Sequence, residues 1–156
     1  MSVTFSNKLI NWYNHNKRDL PWRKTKDPYK IWVSEIILQQ TRIEFGIKYY
    51  NKFLKRYPDV KKLANSKEMD LMKIWEGLGY YSRAINMLKT AKIVLNSFNG
   101  VFPLEYEQLI QLPGVGDYTA SAISSICNDE LQVVVDGNVL RFPVSYTHLR
   151  AHETDT

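Results

Sequence analysis

The stretch Leu112-Pro113-Gly114-Val115-Gly116-Asp117-Tyr118-Thr119-Ala120, joined further along by Asp136-Gly137-Asn138-Val139, decides the reading of this chain. Glu105 to Gln111 before the glycines and Tyr118 to Cys127 after them carry helical apolar spacing, which makes the motif a hairpin between two helices. Gly114 and Gly116 permit tight turns and let backbone N–H groups point outward. At the start of the Tyr118 helix such groups form a site for a phosphate. A dinucleotide fingerprint would need a third glycine and a preceding strand. Thr119 stands at that glycine's place and a helix precedes, so that reading fails. A plain helix-to-helix turn remains the competing explanation of a bare Pro-Gly-x-Gly.

Outward from the hairpin, two carboxylates stand in unusual company. Asp136 follows the apolar run Val133-Val134-Val135 and opens a helix at Gly137, where it can cap the helix, act as an acid, or do both. Glu35 lies within Ile31-Trp32-Val33-Ser34-Glu35-Ile36-Ile37-Leu38. A carboxyl in so apolar a helix faces water, pairs with a cation, or has a raised pKa; in the last case it donates a proton near neutral pH. Gln39 sits one turn beyond Glu35, and Gln40 follows it. Side-chain amides suit the reading of base edges, and they are also ordinary surface residues.

The 156 residues, 44% apolar, suffice for one domain with a core. The formal charge of +5 favours a polyanionic partner. Ten Tyr, six Phe and four Trp, several beside cations as in Trp22-Arg23-Lys24 and Tyr80-Tyr81-Ser82-Arg83, suit stacking on bases as well as an aromatic core. No apolar run reaches the length of a membrane span, and the amino terminus lacks a secretory pattern. A lone cysteine, Cys127, forms no internal disulfide; its apolar neighbours place it in the core.

The periodicity predicts an all-α chain. Helices are expected from Phe5 to Asn16, Tyr29 to Gln40, Ile43 to Tyr57, Val60 to Ala64, Lys67 to Trp75 behind a Ser66 cap, and about Tyr81 to Phe98. Pro28 opens the second of these, Gly77 and Gly79 break the chain, and Asn99-Gly100 closes the long helix. Leu20 to Pro28 reads as a loop, and only Gln132 to Val135 looks strand-like.

Taken together and in order, these signals resemble the adenine DNA glycosylases of base-excision repair, in the endonuclease III-like helix-hairpin-helix superfamily. The likeness runs from about residue 5 to Arg141 through Leu20-Pro21-Trp22-Arg23, Ser34-Glu35-Ile36-Ile37-Leu38-Gln39-Gln40-Thr41 and Trp75-Glu76-Gly77-Leu78-Gly79-Tyr80-Tyr81-Ser82-Arg83. The resemblance implies hydrolysis of the N-glycosidic bond of adenine mispaired with 8-oxoguanine or guanine. It makes Glu35 the general acid and Asp136 the stabiliser of an oxocarbenium-like sugar, with Tyr118 and Asn138 supporting the site. Trp22, Arg23, Leu38 and Ile43 would line the pocket for the flipped base, and Gln40, Thr41, Leu78 and Tyr80 would contact the opposing purine. Backbone N–H groups of Gly114, Val115 and Gly116 would hold phosphate, with an alkali cation on nearby carbonyls. Partner and place would be mismatched double-stranded DNA, a monomeric state without membrane, and the bacterial cytoplasm.

Two alternatives stand beside this one. Bifunctional glycosylase/lyases of the superfamily carry a lysine where this chain has Tyr118, which cannot form a Schiff base. A non-catalytic helix-hairpin-helix DNA-binding module would use neither acid. The family also continues into further helices and four cysteines that bind a [4Fe-4S] cluster, ligands absent from this sequence. The catalytic domain is thus expected to span residues 1–142, truncated before the iron-sulfur region, with apolar faces of its first helix left uncovered and the fragment weak or inactive by itself. Pro143 breaks the next expected helix, and residues 143–156 look like a non-family tail resembling a translated sequencing adapter. On that reading the i, i+4 pair His148 and His152 is no metal site.

Overall fold

The computed structural model describes residues 4–128. Asp136, Asn138, the apolar run before them, the tail and its two histidines lie outside the described residues. Eight α-helices and one 3-10 turn make up the regular structure among the described residues, and none is a strand. The helices are α1 (Phe5–Asn16), α2 (Pro28–Leu38), α3 (Ile43–Arg56), α4 (Val60–Ala64), α5 (Glu68–Trp75), α6 (Ser82–Ser97), α7 (Tyr106–Leu109) and α8 (Asp117–Asn128); the 3-10 turn is Pro21–Lys24.

Helix α2 is the centre of the arrangement. It starts where Pro28, at the first helical position, has no N–H to satisfy and Asp27 Oδ1 accepts the Tyr29 N–H at 3.0 Å. Seven of its residues, Tyr29, Ile31, Trp32, Val33, Ser34, Ile36 and Ile37, are buried, because α3, α8 and the 3-10 turn all pack on it. A helix apolar nearly all round belongs inside. Ser34 keeps its hydroxyl satisfied by donating to the Ile31 carbonyl at 2.6 Å. Tyr29 reaches across to donate to the Tyr57 carbonyl at 2.7 Å, and burial drives its phenol pKa upward.

Around α2 the core continues through Phe53, Tyr57, Leu63, Leu71, Trp75, Met87, Leu109 and Ile123, all fully buried. Helix α4 packs on α6, α5 on α6, and α7 on α8, so the two arms of the hairpin pack on each other. Helix α1 has no buried residue: Phe5, Leu9, Ile10, Trp12 and Tyr13 are all exposed.

Three expectations shift. Helix α2 ends at Leu38 rather than Gln40, since Gln40 takes a left-handed φ of 57° that no helix can include. Ser66 does not cap α5; its hydroxyl donates back to the Leu63 carbonyl at 2.6 Å and Lys67 takes the cap position. The segment from Leu20 is not wholly irregular, as Pro21 starts the 3-10 turn. Gly77 and Gly79 do interrupt the chain, with φ of 93° and 70°.

Candidate active site

Glu35 is the half-buried residue of an otherwise buried stretch of α2, on the one side that a cavity keeps open. That cavity holds about 720 Å3, within the range of small-molecule sites. Its wall brings together Glu35, Tyr118, Trp22, Arg23, Leu38 and Ile43, which come from α2, α8, the 3-10 turn and the start of α3. All six were expected at one site from sequence, and the fold gathers them.

Local chemistry fixes each wall. Trp22 is held by an edge-on contact with the Tyr50 ring, centroids 5.3 Å apart. Arg23 lies over the Tyr13 ring at 5.5 Å and donates to the Arg18 carbonyl at 3.2 Å, which draws α1 to the cavity rim. Ile31, Leu38 and Gln39 stand at i−4, i+3 and i+4 from Glu35 and therefore share its face. Gln39, noted from sequence one turn beyond Glu35, lines the cavity too, as do Tyr13, Lys26 and Ile126, which were not expected there. The helical offset from Glu35 was a sufficient signal for Gln39; Tyr13 and Ile126 arrive through tertiary packing alone.

A second groove of about 300 Å3 joins Gln40, Thr41 and Leu78 with Arg42, Phe45 and Gly77. Three of the four positions expected at the opposing purine thus meet, though α2 and the α5–α6 loop are far apart in sequence. Tyr80 does not line this groove. It is 63% exposed with a left-handed φ of 47°, and the Arg83 guanidinium sits 5.8 Å from its ring.

The hairpin closes as expected, with one correction. Val115 is buried and its N–H donates to the Leu112 carbonyl at 3.1 Å, so it serves the turn itself rather than a phosphate. Gly114 needs its φ of 75°, and a Cβ there would stand 3.0 Å from Asn86 Cβ. Gly116 has neither demand: a Cβ on it would meet nothing within 4 Å. Thr90 donates to the Pro113 carbonyl at 2.8 Å, and Tyr106 donates a hydrogen bond to Asp117, which raises the Tyr106 pKa. Asp117 in the first turn of α8 also suits the positive end of the helix dipole.

Iron–sulfur ligation takes four thiolates. The sequence offers Cys127 alone, half-buried on α8, with its thiol pushed by burial from the ordinary 9.0 to about 11. Among the described residues no group of three or more metal-ligating side chains forms. These residues do not fit such a cluster.

A helical core, a glycine hairpin between helices and a carboxylate-bearing cavity beside it define a helix-hairpin-helix protein. Residues 33–155 match the HhH-GPD superfamily of base excision DNA repair proteins, and the chain belongs to that family. It is 44% identical over 146 residues to the adenine DNA glycosylase of Buchnera aphidicola subsp. Baizongia pistaciae, covering 93% of this chain and 42% of that protein. To the adenine DNA glycosylase of Mus musculus it is 40% identical over 163 residues, covering 99% of this chain and 32% of the mouse protein. The chain therefore spans less than half the length of these relatives. Among solved structures, a thermostable thymine-DNA glycosylase superposes with a TM-score of 0.83 at 30% identity, over 89% of this chain and 64% of that one. A trapped endonuclease III–DNA covalent intermediate gives 0.76 at 20% identity, over 88% and 63%, which speaks for the fold.

Proposed function

We propose that this chain carries the catalytic region of a monofunctional adenine DNA glycosylase acting on adenine opposite 8-oxoguanine or guanine in duplex DNA. The observation that carries the reading is Glu35 on the wall of the 720 Å3 cavity, together with Trp22, Arg23, Leu38, Ile43 and Tyr118. An extruded base would stack against Trp22 and the aliphatic walls while Glu35 donates a proton to the departing adenine. Protonation makes the base a neutral leaving group, and the glycosidic electron pair leaves with it. Asp136 would then stabilise the cationic sugar until water adds, and Asn138 would help orient that centre. Tyr118 lacks an amine, so no Schiff base forms and the strand stays intact.

The same reading gives Gln40, Thr41, Leu78 and Tyr80 the opposing purine, and Gly114 and Gly116 the backbone phosphate. The open space beside Gly116 supports the latter, because among the described residues nothing lies where a Cβ would stand. Single-turnover assays on duplex with adenine opposite 8-oxoguanine test the proposal. Base release without strand nicking is expected, with Glu35→Gln slower by a factor of about 10²–10⁴. Nicking without added base or heat would instead favour a glycosylase/lyase. Salt-dependent binding with excision unchanged by Glu35→Gln would overturn the catalytic role.

A further inference from the structure

Arg83, the second residue of α6, makes more contacts to backbone than any catalytic role would need. Its Nη1 donates to the Ile36 carbonyl at 2.9 Å and the Gln39 carbonyl at 2.5 Å, with Ile37 O at 3.4 Å. Its Nη2 donates to the Leu78 and Gly79 carbonyls, each at 3.3 Å. The guanidinium plane is packed between rings, 5.1 Å from Trp75 and 5.8 Å from Tyr80. One cation therefore satisfies the last carbonyls of α2, at the negative end of its dipole, and those of the loop joining α5 to α6.

The two clamped segments share a further property. Each runs directly into a non-glycine residue in the left-handed region, Gln40 after Gln39 and Tyr80 after Gly79. Such conformations persist where the surroundings over-determine them. In both cases Arg83 bonds the carbonyl just before the strained residue, at Gly79 beside the Trp75 indole N–H that donates to the same oxygen at 3.0 Å, and in both cases the strained side chain is exposed.

We infer that Arg83 is a positioning residue that locks Gln40 and Tyr80 as a pair, so that the two sides of the opposing-base contact move as one unit. The inference rests on the proposed function for what the pair reads, but the clamp itself is a property of the free protein. Lysine cannot replace it: a point charge with three donors does not span two carbonyl sets with a planar fork.

Hydrogen exchange and duplex binding on the 156-residue chain separate the parts. In Arg83→Lys, backbone amides in 36–41 and 77–81 should both exchange at least tenfold faster, while those of α3 and α4 stay unchanged. Affinity for duplex with adenine opposite 8-oxoguanine, relative to adenine opposite thymine, should fall about tenfold, with affinity for fully paired duplex altered less than twofold. A merely structural arginine would weaken all duplexes alike. Faster exchange in one segment only, or in neither, overturns the clamp; faster exchange in both with discrimination retained overturns the positioning role. If the wild-type chain shows no discrimination while both segments respond, the clamp stands and the proposed function falls. Should Arg83→Lys not fold, Tyr80→Gly supplies the test, since it keeps Arg83 and accepts the left-handed turn. It must lose the same discrimination with 36–41 still protected, and discrimination retained in it overturns the inference.

Discussion

Gly114 and Gly116 belong to one hairpin yet are glycines for opposite reasons, and a pair of alanine substitutions separates those reasons. At Gly114 the φ of 75° is left-handed, and a Cβ would press on Asn86 Cβ at 3.0 Å and Nδ2 at 3.3 Å. The left-handed backbone costs about 1–2 kcal/mol, and overpacking adds about 1–3 kcal/mol. Since about 1 kcal/mol moves the melting midpoint by roughly 2–4 °C at this size, Gly114→Ala should melt roughly 4–20 °C below wild type. Gly116→Ala meets no atom within 4 Å and no positive φ, so it should melt at the wild-type temperature or slightly above. Its effect should appear on DNA instead. A hydrogen bond to a charged phosphate is worth about 1.5–3 kcal/mol, and a Cβ that holds the backbone off forfeits most of it. Duplex affinity, measured by fluorescence anisotropy at fixed salt, should therefore drop at least about tenfold. Wild-type affinity in Gly116→Ala would refute the phosphate grip. A melting loss as large as that of Gly114→Ala would refute the geometric argument itself.

Other consequences follow from the same structure. Asp27→Ala removes the acceptor for the Tyr29 N–H at the head of α2 and should cost about 1 kcal/mol in chemical denaturation, with Asp27→Asn close to wild type. Cys127 has a folded pKa of about 11 against an ordinary 9.0, so the folded state holds its proton where the unfolded state releases it. Its contribution to stability is full below pH 9 and is lost as pH rises through about 11; Cys127→Ser should flatten that part of a stability–pH curve. Iodoacetamide labelling of the folded chain should likewise stay slow until pH approaches 11.

Helix positions were legible because their stops are written in proline and glycine: Pro28 opens α2, Pro58 follows α3, and Gly77, Gly79 and Gly100 take positive φ. Periodicity could not show that α2 stops at Leu38, because the group that takes up its terminal carbonyls, Arg83, approaches from α6. The Ser66 cap failed for a similar reason. Its hydroxyl can bond forward to a helix N–H or back to a carbonyl, and here the end of α4 is the nearer partner. Glu35 and its neighbours were legible as motif residues, whereas Tyr13 and Ile126 come from helices whose approach to the cavity only packing decides.

The cavity and the groove are two ends of one element. Helix α2 carries Glu35 on the cavity wall, and its terminal Gln39 also borders a small space of about 120 Å3 shared with Arg83, Asn86, Pro113 and Gly114. Asn86 packs on Gly114, and Arg83 holds the Gln39 carbonyl, so α6 touches the hairpin with one residue and the end of α2 with another less than a turn away. Helix α6 therefore contacts both the hairpin and the segment that carries Gln40. Glu35 lies on α2 with its Gln39 cap, half-buried between buried neighbours. On the proposed function, the phosphate grip, the opposing-base contact and the proton donor would thus all rest on α2, α6 and the hairpin that α6 touches.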